Sequence, residues 1–137
     1  MGETVRPIVL DSSVVSYIFN RDPIARYYVN RLRGNRQYIS FQTLEEAWYG
    51  AHSRGWGARR MKELTSHLER YEIIWPDTDL VEVCARLRAE RRTAGRELNM
   101  ADAWIAATAI LLDCSLASHD GHFVGIPSLR LIRAPTP

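Results

Sequence analysis

The chain contains little that would cross-link it or hold it in a membrane. Cys84 and Cys114 are its two cysteines, and they form no CxxC pair. No apolar run reaches the length of a transmembrane helix, and no signal peptide precedes the first predicted strand. With 46% hydrophobic residues among 137, the chain can bury a core without a metal or a disulfide. We therefore expect one soluble, cytoplasmic domain with reduced thiols and no membrane association.

Lysine is also scarce, since Lys62 is the sole lysine among 18 basic residues. The net charge of +2 therefore rests on arginine, whose planar guanidinium suits bidentate contacts with phosphate. A preference for arginine codons is the alternative explanation. Six arginines near the second helix and before the most apolar helix are candidates for phosphate contacts along a groove, with solvated helix faces as the alternative: Arg31, Arg33, Arg36, Arg91, Arg92 and Arg96.

Short β-branched runs alternate with helical patterns along the chain. Strands are predicted at residues 5–10, 37–41, 72–75, 115–117 and 129–132. Helices are predicted at residues 14–20, 22–33, 43–53 (capped by Gln42 or Thr43), 58–70, from a cap at Asp77 or Asp79 to Gly95, and 98–112. This alternation predicts a single α/β domain whose central, mainly parallel sheet of four to five short strands is flanked by helices. We expect the domain to span residues 1–133 and residues 134–137 to form a disordered tail.

A single charge interrupts the most apolar helix. Asp102 lies in the run LNMADAWIAATAILL of residues 98–112, whose composition predicts a helix buried within the domain. A buried carboxylate is costly unless it is paired, binds a cation or faces water. A simpler explanation is a helix-start acid, with Asn99 as the cap and Asp102 complementing the helix dipole.

Further acids fall where strands of the predicted sheet end. Asp11 follows the first strand, Glu45 and Glu46 lie in the helix after the second, and Asp120 follows the strand of residues 115–117. Ligands of open α/β sheets gather at this carboxyl edge, near the point where the strand order reverses. Carboxylates that meet there repel one another or hold a cation, and an all-oxygen cluster selects Mg²⁺ or Mn²⁺. Taken singly, each acid is also an ordinary cap, solvated helix or turn residue.

With these acids placed, nearly the whole chain resembles the PIN-domain family, and within it the VapC-type toxins of bacterial toxin–antitoxin pairs. The resembling segments include IVLDSSVV around Asp11, ISFQTLEEAWYG around Glu46, DAWIAATA from Asp102 and SHDGHF around Asp120. The family's second acid stands four residues before a glycine, which selects Glu46 and not Glu45. The DAWIAATA segment is the most specific match. Serine replaces the threonine of the T-x-D-x-x-F pattern and keeps its hydroxyl.

The resemblance implies the toxin of a type II pair, a Mg²⁺- or Mn²⁺-dependent endoribonuclease that is commonly a homodimer and is neutralised by a cognate antitoxin. Asp11 and Asp102 would then anchor the metal, Glu46 and Asp120 would complete the catalytic site, and a metal-activated water would cleave an RNA phosphodiester. Three residues would support the acids or line the pocket: Ser118, Ser12 and Asn99.

Two other functions are weighed against this one. Phosphatases of the haloacid-dehalogenase kind also place an aspartate after the first strand. They carry D-x-D there, whereas this chain has Asp11-Ser12-Ser13 and no late lysine. A non-catalytic PIN-like binding module would keep the fold without the chemistry, and the presence of all four acids argues against it.

Two groups of residues have no role assigned by the motifs. His119 and His122 are three positions apart, but without a third ligand nearby they are interpreted as surface histidines of a turn and not as a zinc pair. The helix pair of residues 14–29 carries more aromatics than a surface pair needs: Tyr17, Phe19, Tyr27 and Tyr28. We expect some of them to lie in the core, and the remainder make this helix pair the candidate docking groove for the antitoxin.

Overall fold

The computed structural model describes residues 5–136 and shows the predicted α/β architecture. The strands are β1 (Pro7–Leu10), β2 (Arg36–Ser40), β3 (Glu72–Ile74), β4 (Ser115–Ala117) and β5 (Leu131–Ile132). The helices are α1 (Ser12–Phe19), α2 (Ala25–Leu32), α3 (Phe41–Ser53), α4 (Ala58–Leu68), α5 (Thr78–Thr93) and α6 (Met100–Leu111), with a 3-10 turn at Gly121–Phe123. Within the described range, no helix combines the length and the apolar character needed to cross a bilayer.

All five strands form one parallel sheet in the order β3-β2-β1-β4-β5. The chain starts at the centre of the sheet, moves outward through β2 to β3, and then returns to the other side of β1 for β4 and β5. The strand order therefore reverses between β1 and β4, which pair with Val9 opposite Leu116. Such a reversal opens a crevice at the carboxyl ends of the two strands.

The core lies in two clusters, one on each face of the sheet. Val9 of β1 packs with the buried residues of α5 and α6, whereas Ile8 and Leu10 pack with those of α1, α2 and α4. This alternation follows from the two-residue period of a strand. Cys84 and Cys114 lie in the first cluster as free, buried thiols. α6 contributes mainly small side chains, so it approaches the sheet closely and carries Asp102 to its edge.

Caps explain where several helices begin. The Asp77 carboxylate accepts a hydrogen bond from the Leu80 N–H (2.8 Å), so Asp77, one of the two predicted candidates, caps α5. The predicted cap of α3 is wrong. Its cap is Ser40, whose hydroxyl accepts from the Gln42 N–H (3.1 Å), because α3 begins directly at the end of β2 without a loop.

The end of the chain is tied to the core through Tyr28. Ala134, the first residue of the predicted tail, is buried, and its N–H donates to Tyr28 Oη (3.0 Å). Pro137 lies outside the described residues. Tyr28 itself is fully buried, which removes it from the predicted docking surface. Its aromatic ring belongs to the core, and only its hydroxyl makes polar contacts.

Candidate functional site

Asp11 is the buried acid of the crevice. It follows β1, and its backbone N–H donates to Ala117 O at the end of β4 (2.9 Å). Asp11 is 5% exposed, and its Oδ2 accepts hydrogen bonds from Ser118 Oγ (2.8 Å) and Ser13 Oγ (2.9 Å). Burial raises the pKa of the Asp11 carboxyl, the two hydroxyls lower it, and the negative charge of Glu46 raises it. The carboxylate is thus held by neutral donors, which leaves its charge available to a cation.

Asp102 reaches the same edge from the first turn of α6. Asn99 caps this helix, accepting from the Asp102 N–H (2.8 Å) and donating from Nδ2 to Asp102 Oδ2 (3.1 Å). The Asp102 side chain is 13% exposed. Burial raises the pKa of Asp102, a hydrogen bond with His122 lowers it, and the charges of Asp120 and Asp11 raise it. Asp102 is therefore a helix-start acid that also belongs to a group of acids.

The loop after β4 brings a third acid and a histidine to Asp102. Asp120 donates its N–H to Ser118 Oγ (3.0 Å), and its Oδ1 accepts from the His122 N–H (2.9 Å). His122 Nδ1 lies 3.1 Å from Asp102 Oδ2 and 3.3 Å from Asp120 Oδ1. One ligand atom from each of these three residues lies within 4.8 Å of the others. Sequence reasoning missed His122, because only the 3-10 turn that follows Asp120 folds its ring back toward the acids.

His119 takes a separate place. Its Nδ1 lies 2.9 Å from Tyr28 Oη, and its ring packs edge to face on Tyr17. The two histidine rings therefore contact different partners, His119 beside Tyr28 and Tyr17, and His122 beside Asp102 and Asp120.

Glu46 lies across the crevice on α3. It is half-buried and accepts from Gln42 Nε2 (3.2 Å), whereas Glu45 is exposed. Glu46 lines a cavity of about 300 Å³ together with Ser12 and Thr43. The Ser12 hydroxyl donates to Thr43 Oγ1 (3.2 Å), so the expected contact with an acid belongs to Ser13 instead. The cause is helical geometry, since neighbouring residues of α1 point to different sides.

Three of the six predicted arginines lie in two different parts of the structure. Arg91 and Arg96 line a cavity of about 440 Å³ that adjoins Asp102 and His122. Arg91 is 6% exposed, contrary to the expected solvated face, and its Nη1 donates to Gly125 O (3.3 Å). Among the described residues, its Nε finds no hydrogen-bond partner. Arg36, by contrast, pairs with Glu72 where β2 and β3 begin, far along the sheet from the acids.

A metal fits the donor atoms at this edge. Carboxylate oxygens are the usual ligands of Mg²⁺ and Mn²⁺, and imidazole nitrogen joins them at many transition-metal sites. Converging acids that have only hydroxyl, amide and imidazole partners also lose their mutual repulsion when a cation binds between them. The chemistry of the donor set is therefore that of a divalent cation site.

The PIN domain family model matches residues 8–128. The chain belongs to the PIN domain family. The matched range contains all four acids named by the motifs, and the match favours the PIN resemblance over the haloacid-dehalogenase alternative. A search among curated proteins gave no match.

Solved structures that this chain resembles add to this result. VapBC2 from Rickettsia felis, bound to a DNA fragment from its promoter, is 27% identical, with a TM-score of 0.81 over 93% of this chain and 98% of that one. VapBC-5 from Mycobacterium tuberculosis is 25% identical, with a TM-score of 0.68 over 93% and 98%. DNA-bound VapBC from Salmonella typhimurium, 23% identical with a TM-score of 0.76 over 95% and 98%, bears on the fold alone. The resemblance of this PIN domain to VapC-type toxins is confirmed.

Proposed function

We propose that this PIN-domain protein is the toxin of a type II toxin–antitoxin pair and hydrolyses RNA as a divalent-metal-dependent endoribonuclease. The convergence of Asp102, Asp120 and His122 within 4.8 Å, beside the buried Asp11, is the observation that carries the proposal. The group lies where the strand order reverses, which is the usual ligand position of such sheets. The likeness to toxin–antitoxin complexes supports the biological role.

Each acid has a role in this proposal. Asp11 and Asp102 hold the ion, and Glu46 and Asp120 complete the site and orient water. Ser118 fixes the Asp11 carboxylate through its 2.8 Å hydrogen bond, and Asn99 does the same for Asp102. When bound, Mg²⁺ or Mn²⁺ lowers the pKa of a water molecule and neutralises negative charge on the phosphodiester.

The cavity of about 440 Å³ beside the acids suits an RNA phosphate. Arg91 and Arg96 line it, and two guanidinium groups offset the negative charge that a phosphodiester brings to an acidic site. Arg91 is buried and therefore enters the cavity with little conformational freedom left to lose. Binding of RNA to this cavity should weaken as salt concentration rises.

An antitoxin is the proposed protein partner. The helix-pair hypothesis changes because Tyr28 is in the core, and the groove between α1, α3 and α4 takes its place. Apolar and aromatic side chains line this groove beside Glu46: Val15, Phe19, Ala47, Trp56 and Leu64. A helix or strand of the antitoxin docked here would lie against the catalytic crevice and block it. The homodimer remains a prediction from the family resemblance.

Cleavage of total bacterial RNA by the purified protein tests the proposal. Reactions with Mg²⁺, Mn²⁺ or chelator are compared for the wild type and Asp102→Asn. We expect discrete fragments that require both the metal and Asp102. Cleavage in chelator, or by Asp102→Asn at the native rate, would remove the proposed mechanism. Metal binding without cleavage of any RNA would instead favour the non-catalytic binding module.

A further inference from the structure

His122 brings a nitrogen atom to a site that the family motifs describe with carboxylates alone. We propose that His122 is a direct ligand of the divalent cation and that it shifts the preference of the site from Mg²⁺ toward transition metals such as Mn²⁺. The inference rests on the cation site of the proposed function. It concerns which ion binds, and it holds whether or not RNA is the substrate.

Distances within the cluster fit ligands of one ion. Adjacent ligands of an octahedral ion lie about 3 Å apart when each metal–ligand bond is about 2.1 Å long. His122 Nδ1 lies 3.1 Å from Asp102 Oδ2 and 3.3 Å from Asp120 Oδ1. The imidazole nitrogen thus stands beside both carboxylates at the spacing of neighbouring ligands.

Hydrogen bonds and packing fix the backbone of the turn that carries His122. Asp120 Oδ1 accepts from the His122 N–H (2.9 Å), and the Val124 N–H closes the 3-10 turn on Gly121 O (3.1 Å). Phe123 follows at once and is 1% exposed, so its ring anchors the turn in the core. The His122 side chain is 67% exposed and can turn its nitrogen onto an ion without disturbing the fold.

Ligand chemistry gives the expected selectivity. Mg²⁺ requires oxygen ligands and keeps several water molecules, whereas imidazole suits divalent transition metals. Replacing one water or carboxylate oxygen by Nδ1 therefore favours Mn²⁺ over Mg²⁺. The same ring acting only as a hydrogen-bond donor to Asp102 would orient the carboxylate and leave the selectivity unchanged.

Pulsed electron paramagnetic resonance of Mn²⁺ distinguishes these two roles. The protein is kept in excess over Mn²⁺ and no RNA is added. We expect coupling of the Mn²⁺ electron spin to a directly bound ¹⁴N nucleus in the wild type and its loss in His122→Gln. His52→Gln is the matched control, because His52 is exposed on α3, away from the acids, and this variant should keep the coupling.

Calorimetric titration supplies the second readout. His122→Gln should lower the ratio of Mn²⁺ to Mg²⁺ affinity at least about tenfold, mainly by weakening Mn²⁺ binding, because loss of even an outer partner of a metal costs 10–100-fold in affinity. Absence of nitrogen coupling in the wild type, or an affinity ratio that His122→Gln leaves unchanged, overturns the assignment. Nitrogen coupling in a protein that cleaves no RNA would contradict the nuclease proposal and still support His122 as a ligand.

Discussion

The acids at the two ends of the parallel strands have different partners. At the amino edge, acids face arginines: Glu72 lies 2.9 Å from Arg36, and Asp113 lies 3.3 Å from Arg130. At the carboxyl edge, the acids face one another, with hydroxyls, amides and one imidazole as their partners. The acids of the first edge have arginine partners, whereas those of the second lie near the proposed cation site.

The two edges also differ in how deeply their charged side chains are buried. The amino-edge pairs are exposed, so water and salt screen them and they contribute little to stability. Asp11 at the carboxyl edge is buried, and its ionised form is costly until a cation is near. The proposed catalytic site thus lies at the edge whose acids lack arginine partners.

The largest difference is expected when one aspartate at each edge is replaced by asparagine. Asp11→Asn should reduce RNA cleavage by more than about 100-fold, because it removes a direct ligand where even an outer partner of a metal is worth 10–100-fold. Asp113→Asn should cleave at the wild-type rate. Initial rates on the same RNA with Mn²⁺ measure both. Equal losses in the two variants would show that the edges do not differ in function.

Metal should stabilise the protein through the carboxyl edge. At about 100 times the dissociation constant, a single bound ion adds roughly 2.7 kcal/mol, a rise of several degrees in Tm. Differential scanning calorimetry with and without Mn²⁺ should show this rise in the wild type and not in Asp102→Asn. Without metal, Asp102→Asn should melt no lower than the wild type, because it relieves repulsion from Asp120 and Asp11. An equal metal-induced shift in both proteins would place the ion elsewhere.

His67, a half-buried histidine in the last turn of α4, lies away from the acids and provides a test by pH. Burial, assisted by the charge of Arg70, lowers the pKa of His67 to about 4, and burial raises the pKa of Tyr71 to about 12, so the Tyr71 hydroxyl keeps its proton 2.9 Å from His67 Nε2. The unfolded chain binds a proton near pH 6.5 and the folded chain only near pH 4. The contribution of neutral His67 to the free energy of unfolding should therefore be fully present above pH 6.5. It should fall by about 1–2 kcal/mol toward pH 4, after allowance for partial exposure.

Urea unfolding at several pH values measures this loss. His67→Gln should lack the part of the pH dependence that lies between pH 6.5 and 4, and His52→Gln should retain it. Parallel profiles for the wild type and His67→Gln would show that His67 is not the responsible group.

The smallest effect is expected at the exposed ion pairs. Arg36→Ala removes the 2.9 Å contact with Glu72 at the start of β2 and β3. Because both side chains are more than half exposed, the urea midpoint should hardly change, and any change should vanish in high salt. A large loss of stability would mean that the amino edge does more than balance its own charges.

Local patterns carried most of the fold and part of the site. The five strands, the caps at Asp77 and Asn99 and the placement of Asp11 after β1 follow from short-range rules, since each depends on neighbours within a few residues. DAWIAATA identified Asp102 because an isolated charge in an apolar helix is conspicuous at the level of sequence.

Contacts between distant segments could not be predicted in this way. His122 meets Asp102 across 20 positions, and Tyr28 holds Ala134 across 106. The choice of Ser13 over Ser12 as the partner of Asp11 depends on the rotation of α1 relative to the sheet. These relations come from tertiary packing, which the periodicity of a single segment does not encode.

The parallel pairing of β1 with β4 also affects the order in which the parts of the site come together during synthesis and folding. Ser118 bonds to Asp11 across 107 residues, and β4 joins the sheet only after the whole first side of the domain has been synthesised. During synthesis, Asp11, Glu46 and Asp102 therefore leave the ribosome before the loop that carries Asp120 and His122. Contacts so remote in sequence form late. A nascent chain without this loop lacks part of the proposed site, so the proposed activity requires that β4 has joined the sheet.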